Sequence, residues 1–178
     1  MVADRPDCPT HEAAAWFAGR VPDEWFAGPL SVLADRDEII VIGALAAPRS
    51  SPDGEDALRV AATARVDAFR EETRAHRMKI AEAGQARWQR HVSWGVVCGP
   101  VEQRFTTASV PVMTRLRYDE RQVLDTLVDA GVARSRSDAI AWCVNQVGQH
   151  RGEWIDRLRT ALVEVERIRA EGSGASEG

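Results

Sequence analysis

Within the 178 residues, the side chains whose types and spacing point most directly to chemistry are arginines and serines gathered between Ser109 and Gln149. Arg115 and Arg117 stand two residues apart, the spacing that puts both on one face of a β-strand. Arg134, Ser135, Arg136 and Ser137 form a second run, just ahead of an apolar-periodic segment. A guanidinium is a planar fork of donors suited to a guanine edge or a phosphate. A serine at the start of a helix caps one backbone N–H and leaves others facing any nearby anion. The chemistry open to this set is recognition of an anionic, hydrogen-bonding partner. Bond-making chemistry has no comparable set: His11 and Glu12 open an HExxH-like pattern, but Ala15 stands where the second His is required. No Walker loop, dinucleotide fingerprint, nucleophile elbow or CxxC occurs. His76, His91, Cys98 and His150 match no metal-ligand spacing. The expectation is a non-enzymatic protein with no cofactor and no metal.

The elements that position these residues follow from two changes of hydrophobic period. Val110, Val112, Thr114 and Leu116 alternate with Ser109, Pro111, Met113, Arg115 and Arg117, which predicts a strand with one buried face. Asp119 is placed to cap a helix in which Val123, Leu124, Leu127 and Val128 share a face, and Gly131 supplies a left-handed stop. Ser135 and Asp138 have the spacing of a capping box, opening a second helix with Ile140, Cys143, Val144 and Val147 inward.

This strand, helix, turn, helix stretch resembles the ribbon-helix-helix family, the MetJ, Arc and CopG type of bacterial repressors and antitoxins. The resemblance is carried by Arg115 and Leu116, by LDTL at Leu124 to Leu127, and by SRSDAI at Ser135 to Ile140 in its register after Gly131; it covers about forty of the 178 residues. It implies that two chains pair their strands into an antiparallel ribbon, that the helices of both close over its apolar face, and that the polar face enters the major groove of double-stranded DNA. Dimerisation is then inseparable from folding, because one strand is not stable alone. The resemblance places Pro111, Met113 and Arg115 toward the groove, with Arg115 reading a base and Met113 touching a thymine methyl. It gives phosphate to Arg117, Arg134, Ser135, Arg136 and Ser137. Pro111 cannot donate to a ladder, and Thr114 stands where the family keeps a larger apolar residue. Both departures shorten the expected ribbon to Met113 to Arg115.

Around this unit the chain reads as α+β. A repeated WFAG, at Trp16 to Gly19 and Trp25 to Gly28, predicts aromatic pairs clamped onto a core, with a protein-binding patch as the other reading. Leu30 to Ala34 and Glu38 to Ala46 read as a hairpin. Ser51 and Pro52 signal the start of one long helix reaching about Arg90, and His91 to Cys98 with Val101 to Val110 read as a second hairpin. The expected organisation is a ββαββ domain with an antiparallel sheet over residues 1–108, the ribbon-helix-helix unit over 109–149, an amphipathic helix over 150–171, and a disordered tail over 172–178. The seven basic residues from Arg65 to Arg90 are interleaved with Glu71, Glu72 and Glu82, which predicts a solvated helix face.

Composition sets the outer limits. The net charge of −4 argues against a protein that coats nucleic acid indiscriminately. Residues 1–64 carry five basic against eleven acidic side chains, whereas 104–151 carry seven arginines against five acids, so any nucleic-acid face is expected centrally. The longest apolar run, Ile39 to Ala47, is far shorter than the roughly 20 residues of a membrane span. The front of the chain lacks the pattern of a secretory signal, and three scattered cysteines make no disulfide framework. Cytoplasmic residence is expected, with self-association into a homodimer or higher, DNA as partner, and no membrane. The leading expectation is a sequence-specific transcription regulator. The alternative is an interaction protein or antitoxin that uses the unit for dimerisation.

Overall fold

A computed structural model describes residues 8–48 and 54–174. The proposed helix start at Ser51 and Pro52 lies outside these residues. The chain is mixed α+β and divides into two compact units, Met1–Val112 and Met113–Gly178. Elements of the first are α1 (Thr10–Ala18), β1 (Ser31–Ala34), β2 (Glu38–Ala44), α2 (Glu55–Glu72), α3 (Arg74–Trp88), β3 (His91–Cys98) and β4 (Val101–Arg104). The second contains α4 (Tyr118–Asp129), α5 (Arg136–His150) and α6 (Gly152–Gly174).

The four strands form one sheet in the order β1-β2-β3-β4. Its outer pairs are antiparallel, joined by short turns. At the first, Asp35 Oδ1 accepts from the N–H groups of Asp37 and Glu38, each at 2.8 Å, and these bonds hold its carboxyl below the usual carboxylate range. At the second, Gly99 adopts φ 54°, the left-handed region that glycine enters without strain. The central pair is parallel, with Glu38 to Ala44 in register with His91 to Val97. The sheet is therefore mixed, not antiparallel as expected from the sequence. The reason is the length of the connection: a helical crossover returns the chain to the end of the sheet it left, and such a connection joins parallel neighbours.

The crossover is two helices, not one. At Thr73 the side-chain hydroxyl donates back to the Phe69 carbonyl at 2.5 Å and accepts from Arg77 Nε at 2.9 Å. Back-bonding of this kind competes with the helical ladder and bends it. The two helices pack on β3, and α2 also meets β4. The inward residues of β3 alternate, with Val92, Trp94, Val96 and Cys98 all buried. Against them lie Ala62 and Val66 of α2, and Ile80 and Trp88 of α3. On the other face of β3, the buried Ser93 hydroxyl donates to Glu38, whose carboxylate also accepts from Ala108 N–H at 2.7 Å. That bond ties the chain beyond β4 to the sheet. Just beyond β4, Phe105 is buried and its N–H donates to the Trp94 carbonyl at 2.8 Å.

Both WFAG copies are spent on this core. Phe17 is fully buried, 5.8 Å from Trp88 and 6.1 Å from Trp94 between ring centroids. Trp25 meets Phe69 edge-on at 5.5 Å, and Phe26 lies 5.3 Å from Phe69. Phe26 also explains Gly43 in the middle of β2, since a Cβ added there would lie 2.3 Å from the Phe26 ring. Cys8 and Cys98 are buried thiols and Cys143 is half-buried. No helix among the described residues is long and apolar enough to cross a membrane.

Gly43→Ala should force Phe26 out of its site and lower stability by about 1–3 kcal/mol, the usual cost of overpacking. Chemical denaturation followed by tryptophan fluorescence measures it; an unchanged midpoint would mean that the Phe26 ring is free to move.

Candidate nucleic-acid interface

In the second unit the local signals mostly place the elements where the sequence suggested, with adjusted caps. Helix α4 starts two residues earlier than an Asp119 cap would give: Arg117 is the N-cap, and its backbone N–H donates to Glu120 Oε2 at 2.6 Å. Asp119 lies in the first turn, where a negative charge suits the helix dipole. The helix stops at Gly131, φ 72°, with Gly131 N–H on the Val128 carbonyl and Val132 N–H on the Leu127 carbonyl. This is the doubly bonded Schellman arrangement.

Ser135 caps α5, its hydroxyl accepting from Asp138 N–H at 3.2 Å. The reciprocal bond goes one residue further back than a standard capping box, from Arg134 N–H to Asp138 Oδ2 at 2.9 Å. That bond and the nearby Arg134 guanidinium hold the Asp138 carboxyl below its usual range. The Ser135 carbonyl takes the Ala139 N–H, so the Arg136 and Ser137 N–H groups at this helix end have no intrahelical acceptor.

Arg136, assigned to phosphate from the resemblance, is held by α4. Its Nε and Nη2 donate to the two carboxylate oxygens of Asp125 at 2.6 and 2.7 Å. This bidentate pair lowers the Asp125 carboxyl, through the hydrogen bond first and the charge of Arg136 second, and raises Arg136. The clamp fixes the start of α5 against α4, a role that sequence spacing does not reveal. Arg134, Ser135 and Ser137 are exposed on the same helix end.

Ahead of α4, residues 106–117 form no strand within a single chain. Met113 is 98% exposed, and Arg115 and Arg117 are exposed. Of the residues expected on the inward face, Val112 is 87% exposed, Val110 and Thr114 are exposed, and only Leu116 packs, against the helix pair. Among the described residues of this unit the buried core is Leu124, Ala133 and Ala139. Val123, expected inward, is exposed, as are Val144 and Val147. Helix α6 carries Trp154, Leu158, Leu162, Val165 and Ile168 exposed along the stripe expected from the sequence. It reaches Gly174, taking in residues 172–174 that composition assigned to the tail; residues 175–178 lie outside the described ones.

The carboxyls of Asp125 and Asp138 are depressed in the folded chain. Their contribution to stability is therefore present above the unfolded value of about 3.9 and is lost as pH falls through the lower folded values. Acidification should loosen the α4–α5 pair, and Asp125→Asn should remove part of that response. Amide exchange at Ala139 as a function of pH is the measurement, and an identical profile in the variant would rule out the clamp.

The comparisons with known proteins divide the chain in a similar way. Residues 11–104 match the family described as Rv1265-like protein, N-terminal domain, and residues 117–169 match the one described as Mb1296 C-terminal domain. Neither match covers residues 105–116. The uncharacterized proteins Mb1296 of Mycobacterium bovis and Rv1265 of Mycobacterium tuberculosis are each 55% identical to this chain over 170 residues, covering 96% of it and 73% of the relative. No solved structure matches. With more than half of its residues identical to those relatives over nearly its whole length, the chain belongs to the Rv1265-like family.

Proposed function

We propose that this chain is a dimeric, sequence-specific DNA-binding transcription regulator whose residues 109–149 act as a ribbon-helix-helix unit. The observation that carries the reading is the unsatisfied second unit and the segment leading into it: residues 106–117 with no strand partner among the described residues, an uncovered Val112, and two capped helices whose fully buried residues are Leu124, Ala133 and Ala139, with Leu127, Val128, Ile140 and Cys143 partly buried against them. A unit with so little buried apolar surface needs a partner to fold. A second copy supplies the same segment and the same helix faces, so pairing two of them forms the ribbon and buries Val112 and Val144 at once.

In the dimer, the alternation that turns Val112 and Leu116 inward turns Met113 and Arg115 outward into the major groove. Arg115 reads a base edge and Met113 meets a thymine methyl. The start of α5 holds a phosphate through the Arg136 and Ser137 N–H groups, with Arg134 adding charge and the Arg136–Asp125 pair keeping the helix end in place. Arg117 reaches the flanking phosphate. Front and back thus divide, with base reading on the ribbon and register on the helix. Cytoplasmic residence goes with this reading.

The second reading is a dimeric interaction protein or antitoxin. It is favoured by the net charge of −4 and by the engagement of Arg136 with Asp125, which lowers the free positive charge at the helix end.

Two experiments separate them. DNA recovered with the tagged chain from cells should be enriched for particular sites; in gel shifts on such a site, Arg115→Ala should lose about 1–3 kcal/mol of sequence discrimination. Arg134→Ala should instead weaken all sequences alike and flatten the salt dependence. Enrichment of no site, or both variants binding like the parent chain, rejects the DNA reading. Sedimentation should find a dimer, and Val144→Asp should yield monomer with reduced helicity; a helical monomer in the parent chain would refute the pairing.

A further inference from the structure

The first unit contains a cavity of about 770 Å³ between the α2–α3 crossover and β3, within the size range of small-molecule sites. Three arginines line it: Arg70 from the end of α2, and Arg74 and Arg77 from the start of α3. Charge patterning predicts a solvated helix face for them, and for Arg77 that expectation fails, because its residue exposure is 7%. Its Nε donates to Thr73 Oγ1 and its Nη2 to the Arg70 carbonyl at 2.6 Å, while its guanidinium lies 4.6 Å from the centre of the Phe105 ring. No carboxylate among the described residues lies within ion-pair distance of Arg77. Burying a charge without a counter-ion is costly, and the cost shows in its acidity: desolvation first, then the neighbouring Arg70 and Arg74, bring Arg77 down to about 10.

A second group in the same lining is unsatisfied. Trp94 is 3% exposed, and its indole Nε1 is buried with no hydrogen-bond acceptor among the described residues. Orphan buried donors are rare in native proteins. The Arg77 guanidinium is the group on this cavity that lacks a counter-ion, which an anion bound there would supply. Phe105 and Trp94 supply flat apolar walls. The acids Asp67, Glu71 and Glu82 also line the cavity, and they disfavour a polyanion such as nucleic acid while leaving room for a ligand with one or two charges.

We infer that this cavity binds a small organic oxyanion, a phosphate monoester or a carboxylate on a flat apolar body. Arg77 and Arg74 hold the anionic group, and the aromatic walls hold the body. The site stands independently of any DNA binding by the second unit.

The test uses the full chain with adenosine monophosphate and naphthoate as the two anionic probes, adenosine and naphthamide as neutral counterparts, and inorganic phosphate alone. Thermal melting and tryptophan fluorescence are the readouts. At least one anionic probe should raise the melting temperature saturably and perturb the fluorescence, whereas its neutral counterpart should not. The responding probe tells phosphate from carboxylate. Arg77→Gln should abolish the effect, and the exposed Arg74→Gln, which leaves the core intact, should weaken binding about tenfold, or about 1.4 kcal/mol. The inference would be overturned by no response to either anion, equal binding of a neutral counterpart, or parental affinity in Arg74→Gln. Inorganic phosphate binding as tightly as adenosine monophosphate would also overturn it, reducing the site to an adventitious anion only.

Discussion

The parallel pairing of β2 with β3 is the constraint on which the first unit depends. Seven residues of β2 stand in register with seven of β3, and the chain between them must travel the length of the sheet outside it. That requirement produces α2 and α3 and lays both on β3. Everything apolar that these helices and α1 offer then converges on the same strand, which is why Phe17, Val66, Trp88 and Val96 are fully or almost fully buried together. The bend at Thr73 completes the arrangement by turning Arg77 inward beside Phe105.

The second unit is limited by the opposite circumstance. Its helices are well delimited by local chemistry, with a Schellman stop at Gly131 and a serine cap at Ser135. What it lacks is surface to bury them against. Caps contribute about 1 kcal/mol each, and a bidentate surface ion pair such as Arg136–Asp125 contributes orientation more than stability. Neither replaces a core. The apolar residues left exposed on α4, α5 and α6 are the surface that the proposed pairing of two copies would cover.

The local elements were legible from residues alone wherever periodicity coincided with punctuation. Strand β3 runs from His91 to Cys98 as its apolar pattern indicates, and Gly131 takes the left-handed conformation that its place after the helix required. The aromatic WFAG copies went to the core, where Phe17 meets Trp88 and Phe26 meets Phe69. The candidate site was less legible. Arg136 reads as a free cation in sequence, but its partner Asp125 lies on another helix, eleven positions away. Asp119 has the right type for a cap and the wrong position, because Glu120 reaches back to Arg117 instead.

By itself the sequence determined the number and type of most segments, since hydrophobic period, caps and turn residues act over a few neighbours and need no tertiary context. Only the tertiary structure decided strand direction in the sheet and which arginine is buried. Those outcomes depend on where a distant strand or ring comes to rest, and a charge interleaved with acids on a helix looks the same in sequence whether it meets water or Phe105. The same physics separates the two units. The first closes its apolar surface on itself, whereas the alternating segment that leads into the second, from Val112 to Leu116, has only Leu116 of its expected inward face covered within one chain.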